Sequence, residues 1–503
     1  MTDLSSTLFD LVVVGGGING AGIARDAAGR GLKVLLVERE DLAQHTSSAS
    51  TKLIHGGLRY LENFEFSLVR KALAERETLL NAAPHITWPL RFVMPHDDAI
   101  RSRWLVRAGL FFYDHLARRD RLPASEMLDL SKHPAGSALQ AQWQHAFEYS
   151  DAWVDDARLV VLNCVDAAER GATVLTRTAC TRALRGEDGW QIGLRDDAGI
   201  ETTLHARALI NATGPWVASF LRDTGQRPRH RVRLVRGSHI VVPRLFAHDK
   251  AYLFQNPDRR IVFAIPYERD FTLIGTTETT HATEASAVHI SAEETDYLCA
   301  TASRFFREPV TPEQVRWSFS GLRPLLDDEH AALSRNTRDY LLELDGEDAP
   351  LLSVFGGKIT TYRKLAEEAV GRIQNLLGHH APDWTARAPL PGGDMADADF
   401  ARFRNSLSQQ HRSMPEALID RLAHAYGTRC RHILGGAAGS AALGEEILPG
   451  LFEREVDYLI AHEWARTATD ILWRRSKLGL HLQANATQLL DAWLEARALN
   501  PRS

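Results

Sequence analysis

Residues 9–22, FDLVVVGGGINGAG, contain the pattern that decides the fold. Phe9 to Val14 form a continuous, β-branched apolar run, which is typical of a buried parallel strand rather than of a half-exposed one. The run ends in a glycine-rich turn in which Gly15, Gly17 and Gly20 follow the spacing G-x-G-x-x-G. A strand that leads into such a turn predicts an α/β domain of the Rossmann type.

The residues after the turn complete the frame of a dinucleotide site. A helical pattern runs from Ala21 to Gly31, and a second apolar strand from Lys33 to Val37 ends at Glu38. The glycines would permit the tight turn, the approach of backbone amides to a pyrophosphate and the close packing of helix on strand. Glu38 would accept hydrogen bonds from a ribose hydroxyl. The frame predicts an adenine dinucleotide without separating NAD from FAD, since both carry an ADP half.

The composition is that of a globular protein with more than one domain. The chain has 503 residues, of which 44% are hydrophobic and 24% charged, and a net charge of −5. This charge argues against general nucleic-acid binding. The four cysteines show no Cys-x-x-Cys spacing, so we expect neither a disulfide framework nor a metal site, and a reducing, cytoplasmic compartment. The N-terminus does not resemble a signal peptide, and no apolar run is long enough to span a bilayer.

The sheet pattern returns far along the chain. ALINATGPW at 208–216 and LLSVFGGKITTYRKLAEEAV at 351–370 each read as a strand followed by a glycine turn. Both resemble the interrupted FAD domain of the D-amino-acid-oxidase-like flavoproteins. The stretches 67–82 and 152–170 are predicted to be helices, and short strands with turn residues begin near residue 233.

The predicted fold class is therefore α/β. An interrupted Rossmann-type FAD-binding domain carries an inserted, mainly antiparallel β substrate domain, and an all-α domain follows at the C-terminus. The predicted boundaries are residues 1–381 for the FAD and substrate domain and 382–503 for the helical domain. Within the first, the FAD segments are about 8–60, 150–232 and 315–381, and the inserted sheet is about 233–314.

Six motifs match one family in number and order: GGGINGAGIARDAAGRGL, TSSASTKLIHGGLRYLE, NATGPW, GSHIVVPR, SFSGLRPL and SVFGGKITTYRKLAE. Together with DILWRRSKLGL near the C-terminus they resemble the FAD-dependent glycerol-3-phosphate dehydrogenases in their aerobic bacterial form. The resemblance implies oxidation of sn-glycerol 3-phosphate to dihydroxyacetone phosphate, with electrons passed to membrane quinone. It also implies a cytoplasmic enzyme attached peripherally to the inner face of the cell membrane.

The motifs indicate which residues hold FAD. The expected cofactor-binding residues are Gly15, Gly17, Asn19, Gly20, Glu38, Thr46, Ser47, Ser48, Gly56, Gly57, Gly214, Gly356, Gly357, Lys358 and Thr360. The motifs offer no convincing residue for covalent attachment, so we expect non-covalent FAD. His55, beside two glycines, is interpreted as a structural partner rather than as a base.

A phosphomonoester dianion needs several fixed cations and donors. The expected substrate-binding residues are Arg59, Tyr60, Arg323, Arg338, Lys358 and Tyr362. Hydride transfer from C2 also requires a base for the hydroxyl proton and a stabiliser for the developing alkoxide. We assign these catalytic roles to His239 and Arg323, with a histidine that only supports the sheet as the alternative for His239.

The segment 100–121, IRSRWLVRAGLFFYDHLARRDR, combines aromatic residues with arginines. Such a basic amphipathic segment can lie on a lipid bilayer surface. The alternative is an ordinary packed helix with a solvated basic face.

Other functions remain open from the sequence. The same flavin site could pass electrons to oxygen, as in a soluble glycerol-3-phosphate oxidase. An amine or amino-acid oxidase is disfavoured. Its substrate would present one carboxylate, which needs fewer cations than the predicted cluster of Arg59, Arg323, Arg338 and Lys358 provides. A non-catalytic flavin-bound sensor or scaffold is the alternative of another class. The oligomeric state is open, with a homodimer as one candidate.

Overall fold

The computed structural model describes residues 6–96, 102–258, 260–281, 288–326, 340–346 and 348–499. The strands in these residues are β1 Leu8–Val14, β2 Val34–Val37, β3 Leu53–Ile54, β4 Thr87–Pro95, β5 Glu126–Asp129, β6 His145–Val154, β7 Thr173–Leu175, β8 Thr178–Arg185, β9 Trp190–Asp196, β10 Glu201–Asn211, β11 Val232–Pro243, β12 Ala251–Gln255, β13 Ile261–Tyr267, β14 Phe271–Gly275, β15 Thr279–His281, β16 Trp317–Leu326, β17 Tyr340–Asp345, β18 Leu351–Gly356, β19 Glu446–Leu448 and β20 Leu451–Phe452.

The α-helices are α1 Ile18–Gly29, α2 Phe66–Ala82, α3 Arg103–His115, α4 Asp156–Glu169, α5 Val217–Asp223, α6 Ala292–Phe305, α7 Tyr362–Leu376, α8 Phe400–Gln410, α9 Glu416–Tyr426, α10 Cys430–Leu434, α11 Glu453–Glu463 and α12 Ala486–Leu499. Among these described helices, none is both long and apolar enough to cross a bilayer.

The first sheet is the predicted Rossmann-type layer. Its strand order is β17-β18-β10-β1-β2-β7, and β9 and β8 continue from β10. Strands β18, β10, β1, β2 and β7 are mutually parallel. Strand β17 pairs antiparallel with β18, and β9 pairs antiparallel with β10. The predicted α/β class is confirmed. The three chain segments meet here because β1, β10 and β18 lie side by side, although more than 330 residues separate the first from the last.

The second sheet has ten strands in the order β15-β11-β14-β13-β12-β4-β6-β3, with β16 on β11 and β5 on β6. It is antiparallel except where β12 meets β4. The predicted insertion at 233–314 was too narrow, because β3 to β6 and β16 also belong to this sheet. The sequence hid β4 because it contains Pro89 and Pro95, and proline lowers the strand signal.

Helix α4 begins later than its sequence pattern suggested. Residues 152–154 end strand β6, and the Asp155 carboxylate accepts a hydrogen bond from the Arg158 backbone N–H, which caps the helix. Helices α1, α4 and α7 cover one face of the parallel sheet and bury the largest apolar core. Cys164 lies in this core, and burial raises the pKa of its thiol.

The C-terminal region is a separate helical unit with its own core. Helices α8 to α12 pack around residues such as Leu422, Val456 and Ile471, and the small hairpin β19–β20 is the one addition to an all-helical plan among its described residues. The DILWRR motif forms a π-helical turn, Asp470–Arg475.

Buried ion pairs join this helical unit to the first sheet and its helix layer. Arg475 donates to both carboxylate oxygens of Asp41 at 2.6 and 2.8 Å, and Arg474 donates to Asp41 at 2.5 Å. Arg158 on α4 pairs with Glu463. A buried charge requires its partner, so these pairs fix how the two units meet. Asp41 follows β2, so the DILWRR turn reaches the edge of the cofactor groove.

Candidate active site

A long groove opens at the carboxyl ends of the parallel strands. Its walls come from the glycine turn after β1, from Glu38 and Arg39 after β2, from residues 43–47, and from the turn after β10. The lining includes Gly15, Gly17, Asn19, Glu38, Thr46, Ser47, Gly214, Gly356 and Gly357 among the predicted cofactor-binding residues. This is where ligands bind in open α/β sheets.

The glycine turn is shaped by close backbone contacts. Gly15 has φ +112°, and a Cβ there would lie 2.5 Å from the Ala212 carbonyl oxygen. A Cβ at Gly20 would lie 1.9 Å from the Gly15 carbonyl oxygen, so this glycine lets α1 pack against the turn. Gly20 thus shapes the site from behind the groove. Helix α1 has no side-chain cap at Gly17, and its N-terminus points at the groove.

Glu38 is fixed at the end of the groove. Its carboxylate accepts hydrogen bonds from the backbone N–H groups of Gly16 at 2.6 Å and Glu40 at 2.9 Å. Burial raises the pKa of this carboxyl, and the two N–H donors act in the opposite direction. The group is therefore oriented by the backbone before any ribose arrives.

The far end of the groove is closed by the turn between β18 and α7. Asn19 Nδ2 donates to the Gly356 carbonyl oxygen at 3.0 Å, which ties the first glycine turn to the last. Asn19 Oδ1 is buried and has no hydrogen-bond partner among the described residues. An unpaired buried acceptor is costly and indicates that a bound group completes the site.

Sequence reasoning missed an aromatic wall of the groove. Trp216 packs edge-on against His45, with ring centroids 4.7 Å apart, and the Arg39 guanidinium lies 4.3 Å from the Trp216 ring centroid. Trp216 was visible only as the last letter of NATGPW, and nothing in that motif indicated which face the ring would present.

The loop at residues 46–60 joins the groove to the second sheet. Thr46 Oγ1 donates to the Leu322 carbonyl oxygen at 2.7 Å, and Ser47 Oγ accepts from the Ile18 backbone N–H at 3.0 Å. Ser48 Oγ donates to the His45 carbonyl oxygen at 3.2 Å. Behind the loop, buried Lys52 pairs with Asp156 at 2.7 Å, a pair that the sequence reasoning did not identify.

His239 lies on β11, near one end of the second sheet, between β14 and β16. On β11 it is paired with Gly275 of β14 and Phe319 of β16, and its ring stacks on Phe319 with centroids 4.8 Å apart. Gly275 is needed under this ring, because a Cβ there would lie 2.1 Å from His239 Cδ2. Nε2 is 3.0 Å from Thr51 Oγ1, and Nδ1 is buried without a partner among the described residues.

The electrostatic surroundings keep His239 neutral. Burial lowers its pKa well below the usual value, and the nearby charges of Arg323 and Lys52 lower it further. A neutral imidazole at neutral pH can accept a proton, as a general base must.

Arg323 lies on β16, the strand that neighbours β11, where it is opposite Val235. Its Nη2 donates to Thr276 Oγ1 at 3.2 Å and its Nη1 to Glu278 at 3.3 Å. Gly237 leaves room for the guanidinium, since a Cβ there would lie 2.6 Å from Nη2. The side chain is 38% exposed. The guanidinium is therefore fixed by Thr276 and Glu278 and is still accessible to a bound substrate.

Tyr60 and Lys358 meet although 298 positions separate them in the sequence. Lys358 Nζ lies 4.0 Å from the centroid of the Tyr60 ring. Arg59 is exposed on the same 3-10 turn, Leu58–Asn63. The pKa of half-buried His55 is lowered first by desolvation and then by Lys358 and Arg323, while Asp151 acts in the opposite direction. Two of the cations predicted for substrate binding, Lys358 and Arg323, thus act on His55.

The remaining glycines and Thr360 shape the loop from its buried side. The Gly56 backbone N–H donates to Tyr113 Oη of α3 at 2.8 Å, and Gly57 has φ +75° with the Tyr60 ring against it. Thr360 Oγ1 accepts from the His55 backbone N–H at 3.3 Å. Contact of Gly56, Gly57 and Thr360 with FAD stays a prediction.

Tyr362 was assigned wrongly to the substrate site. It is 1% exposed, packs under Gly22 of α1, and its hydroxyl accepts from Asn163 Nδ2 at 3.0 Å. Tyr362 is the first residue of α7, and its contacts with Gly22 and Asn163 show that its side chain faces the helix layer and not the second sheet. Arg338, also predicted to bind substrate, lies outside the described residues.

Comparison with known proteins identifies the family. A family model described as FAD dependent oxidoreductase matches residues 10–363, and another, described as C-terminal domain of alpha-glycerophosphate oxidase, matches residues 384–498. The chain belongs to the FAD-dependent oxidoreductase family. The glycine cradle and the unpaired Asn19 Oδ1 fit the cofactor of this family.

Curated relatives of this FAD-dependent oxidoreductase cover nearly the whole chain. A glycerol-3-phosphate dehydrogenase of Pseudomonas aeruginosa is 52% identical over 97% of this chain and 95% of its own length. The aerobic glycerol-3-phosphate dehydrogenase of Escherichia coli is 47% identical over 96% and 97%. A D-erythritol 1-phosphate dehydrogenase of Brucella abortus is 50% identical over 97% of both chains. The family resemblance drawn from the motifs is confirmed.

A solved structure supports both the fold and the cofactor. The glycerol-3-phosphate dehydrogenase of Bacillus halodurans, complexed with FAD, superposes with a TM-score of 0.80 at 28% identity. The superposition covers 98% of this chain and 91% of that one. The protein is therefore an FAD-dependent oxidoreductase, and its groove lies where open α/β sheets bind ligands.

Proposed function

We propose that the protein oxidises sn-glycerol 3-phosphate to dihydroxyacetone phosphate and passes the electrons to membrane quinone. The observation that carries this proposal is that two neighbouring strands supply a buried histidine, His239 on β11, whose pKa is lowered well below its usual value, and an accessible guanidinium, that of Arg323 on β16. The printed names of the Pseudomonas and Escherichia relatives support the same substrate.

The residues divide the chemistry between them. FAD, when bound, supplies the hydride acceptor. Tyr60, Lys358 and Arg59 bind the phosphate, since a dianion needs several donors. Arg323 stabilises negative charge on the C2 oxygen, and His239 takes the hydroxyl proton. Thr51 Oγ1 is the hydrogen-bond partner of His239 Nε2 and orients the imidazole ring.

D-Erythritol 1-phosphate is a second candidate substrate of the same class, because the Brucella relative is named for it. Both molecules are polyol phosphates, and the cation cluster recognises the phosphate of either. Flavin reduction rates with the two substrates, measured at equal concentrations, separate the two functions. We expect sn-glycerol 3-phosphate to be the faster, and a reversed order would reassign the substrate.

FAD is proposed to be bound without a covalent link. Acid precipitation of the purified holoenzyme should leave a yellow supernatant whose flavin has the mass of FAD. The physical reason is that the described groove holds the cofactor by backbone and hydrogen-bonding groups. Flavin that stays in the protein pellet would contradict this expectation.

The proposed membrane contact is an apolar patch formed by Phe64, Phe66, Trp104, Leu105, Phe111 and Phe112, all of them exposed. Trp104 is 84% exposed, and Phe111 and Phe112 are each 52% exposed. Phe66 lies 6.2 Å from both Phe64 and Phe112 between ring centroids, and Phe111 lies 6.1 Å from Phe112, so these four rings are contiguous. Large exposed apolar patches mark interaction surfaces.

Charge and position support a lipid bilayer as the partner of this patch. Helix α3 carries Arg103 and Arg107 among the aromatic residues, as interfacial helices do. On the buried side of α3, the Tyr113 hydroxyl accepts a hydrogen bond from the Gly56 backbone N–H and so holds the loop at residues 46–60, here called the substrate loop. Attachment at this patch to the inner face of the cell membrane would bring the flavin domain close to quinone.

Replacing Trp104, Phe111 and Phe112 together by serine should lower sedimentation with lipid vesicles and the rate of quinone reduction. Anaerobic flavin reduction by substrate should stay within about twofold, because that half-reaction needs no lipid, and exposed side chains contribute little to the core. The matched control is Leu489→Ser, which removes an exposed apolar side chain of α12. A triple variant that sediments like the wild type would remove the patch from membrane contact.

A further inference from the structure

The C-terminal helical unit reaches His239 through a row of rings in contact, of which the middle pair, Trp317 and Phe319, is tilted at 44°. Trp473 lies in the π-helical turn 470–475 and stacks on Trp317, with ring centroids 4.7 Å apart and planes at 30°. Trp317 lies 4.9 Å from Phe319, and Phe319 stacks on His239 at 4.8 Å with planes at 17°. The row therefore ends on the ring assigned as the base.

Strand geometry places these rings on one face. Trp317 and Phe319 are two positions apart on β16, so their side chains point to the same side of the sheet. In the register with β11, Phe319 is opposite His239 and Trp317 is opposite Val241. The face that supports His239 is thus covered in part by a residue from outside the FAD and substrate domain.

Trp473 is itself held from several directions. Lys477 is 2% exposed, and its Nζ donates to the Trp473 carbonyl oxygen at 2.5 Å. Gly479 lies against the Trp473 ring, since a Cβ there would come within 2.6 Å of it. The adjacent Arg474 and Arg475 bind buried Asp41, which lies between the groove-lining residues Arg39 and Ala43. The turn is therefore anchored to Asp41 on one side and packed against Trp317 on the other.

We propose that Trp473 is a positioning residue for His239, and that the C-terminal unit sets the orientation of the base through the rings of Trp317 and Phe319. The proposal rests on the proposed function for the role of His239. Ring stacking has a defined geometry, and small displacements of a reacting group slow a chemical step strongly. The helical unit is then part of the catalytic design and not an appendage.

Kinetics on the FAD-loaded full chain test this role. Trp473→Ala should lower the limiting rate of anaerobic flavin reduction by sn-glycerol 3-phosphate about tenfold or more, with the half-saturating concentration changed less than about twofold. Trp473→Phe keeps a ring and should retain most of the rate. Trp493→Ala is the matched control, because Trp493 packs on the core of the same unit and binds Glu445 away from the site.

A second readout does not depend on activity. With histidine labelled by ¹³C at Cε1, the His239 signal is identified by its loss in His239→Ala. It should move in Trp473→Ala and in Gly479→Ala, which displaces the Trp473 ring more gently, and it should stay in place in Trp493→Ala. If Trp473→Ala does not hold FAD, the other two variants carry the test. Gly479→Ala should move the His239 signal, while Trp473→Phe should retain most of the rate.

The outcomes separate this inference from the proposed function. An unmoved His239 signal and a limiting rate within about twofold of the wild type in Trp473→Ala would overturn the inference. An equal loss of rate in Trp493→Ala would also overturn it, since the effect would then be general loosening of the unit. Wild-type flavin that sn-glycerol 3-phosphate does not reduce would contradict the proposed function, while the signal shifts would still test the positioning role.

Discussion

His239→Ala is expected to slow reduction of the bound flavin by sn-glycerol 3-phosphate by about 10²- to 10⁴-fold, the usual contribution of a general base. Substrate affinity should change far less, because the phosphate is bound by other side chains. Stopped-flow mixing without oxygen measures both quantities, since the limiting rate reports the chemical step and its concentration dependence reports binding.

The pH dependence of the same step follows from the charge state of His239. Burial, Arg323 and Lys52 all lower the pKa of its imidazole, so the neutral and proton-accepting form persists as the pH falls below the usual histidine value of 6.5. The limiting rate should therefore stay flat from neutral pH down through 6.5 and decline only at lower pH.

His248, in the connection between β11 and β12, provides the control for the loss of a histidine next to the same sheet. Its Nε2 is 2.8 Å from the Tyr252 hydroxyl, away from the substrate loop. His248→Ala should leave the rate of flavin reduction unchanged. If His239→Ala reduced flavin as fast as His248→Ala does, His239 would be a supporting residue of the sheet and not the base.

Arg323→Ala is expected to lower kcat/KM by about 10²-fold or more, because a charged hydrogen bond contributes ~1.5 to 3 kcal/mol and the guanidinium also stabilises the developing alkoxide. FAD content should hardly change, since Arg323 projects toward Thr276 and Glu278. Arg323→Lys keeps the charge but loses the planar fork, so it should recover only part of the activity.

A surface arginine distinguishes this effect from a change in net charge. Arg182 is exposed on β8 of the other sheet, and Arg182→Ala removes the same charge far from the cation cluster. Its kcat/KM should match the wild type. Full activity in Arg323→Ala would remove this residue from the site.

The cofactor groove was the most predictable part of the molecule because its signals are local. The turn at Gly15 to Gly20 lies within one strand, turn and helix unit, and Glu38 follows directly at the end of the next strand. Sequence spacing alone therefore brought these groups to one edge of the sheet.

The substrate sheet was less predictable because its pairing is not local. Strand β4 pairs with β6 about fifty positions away, and its prolines hid it. Tyr362 follows the glycine turn that lines the groove, yet it faces the core, since the first residue of a helix can point to either side. The contact of Trp473 with Trp317 joins residues 156 positions apart, which no motif spacing indicates.

The central claim is that the bound flavin takes a hydride from sn-glycerol 3-phosphate, and the absorbance spectrum of the purified holoenzyme tests it most directly. The spectrum is recorded without oxygen before and after the substrate is added, with plain glycerol as the control. We expect the oxidised flavin bands to bleach with sn-glycerol 3-phosphate and to persist with glycerol, which lacks the phosphate. An unchanged spectrum with sn-glycerol 3-phosphate, in a protein that holds FAD, would contradict the account.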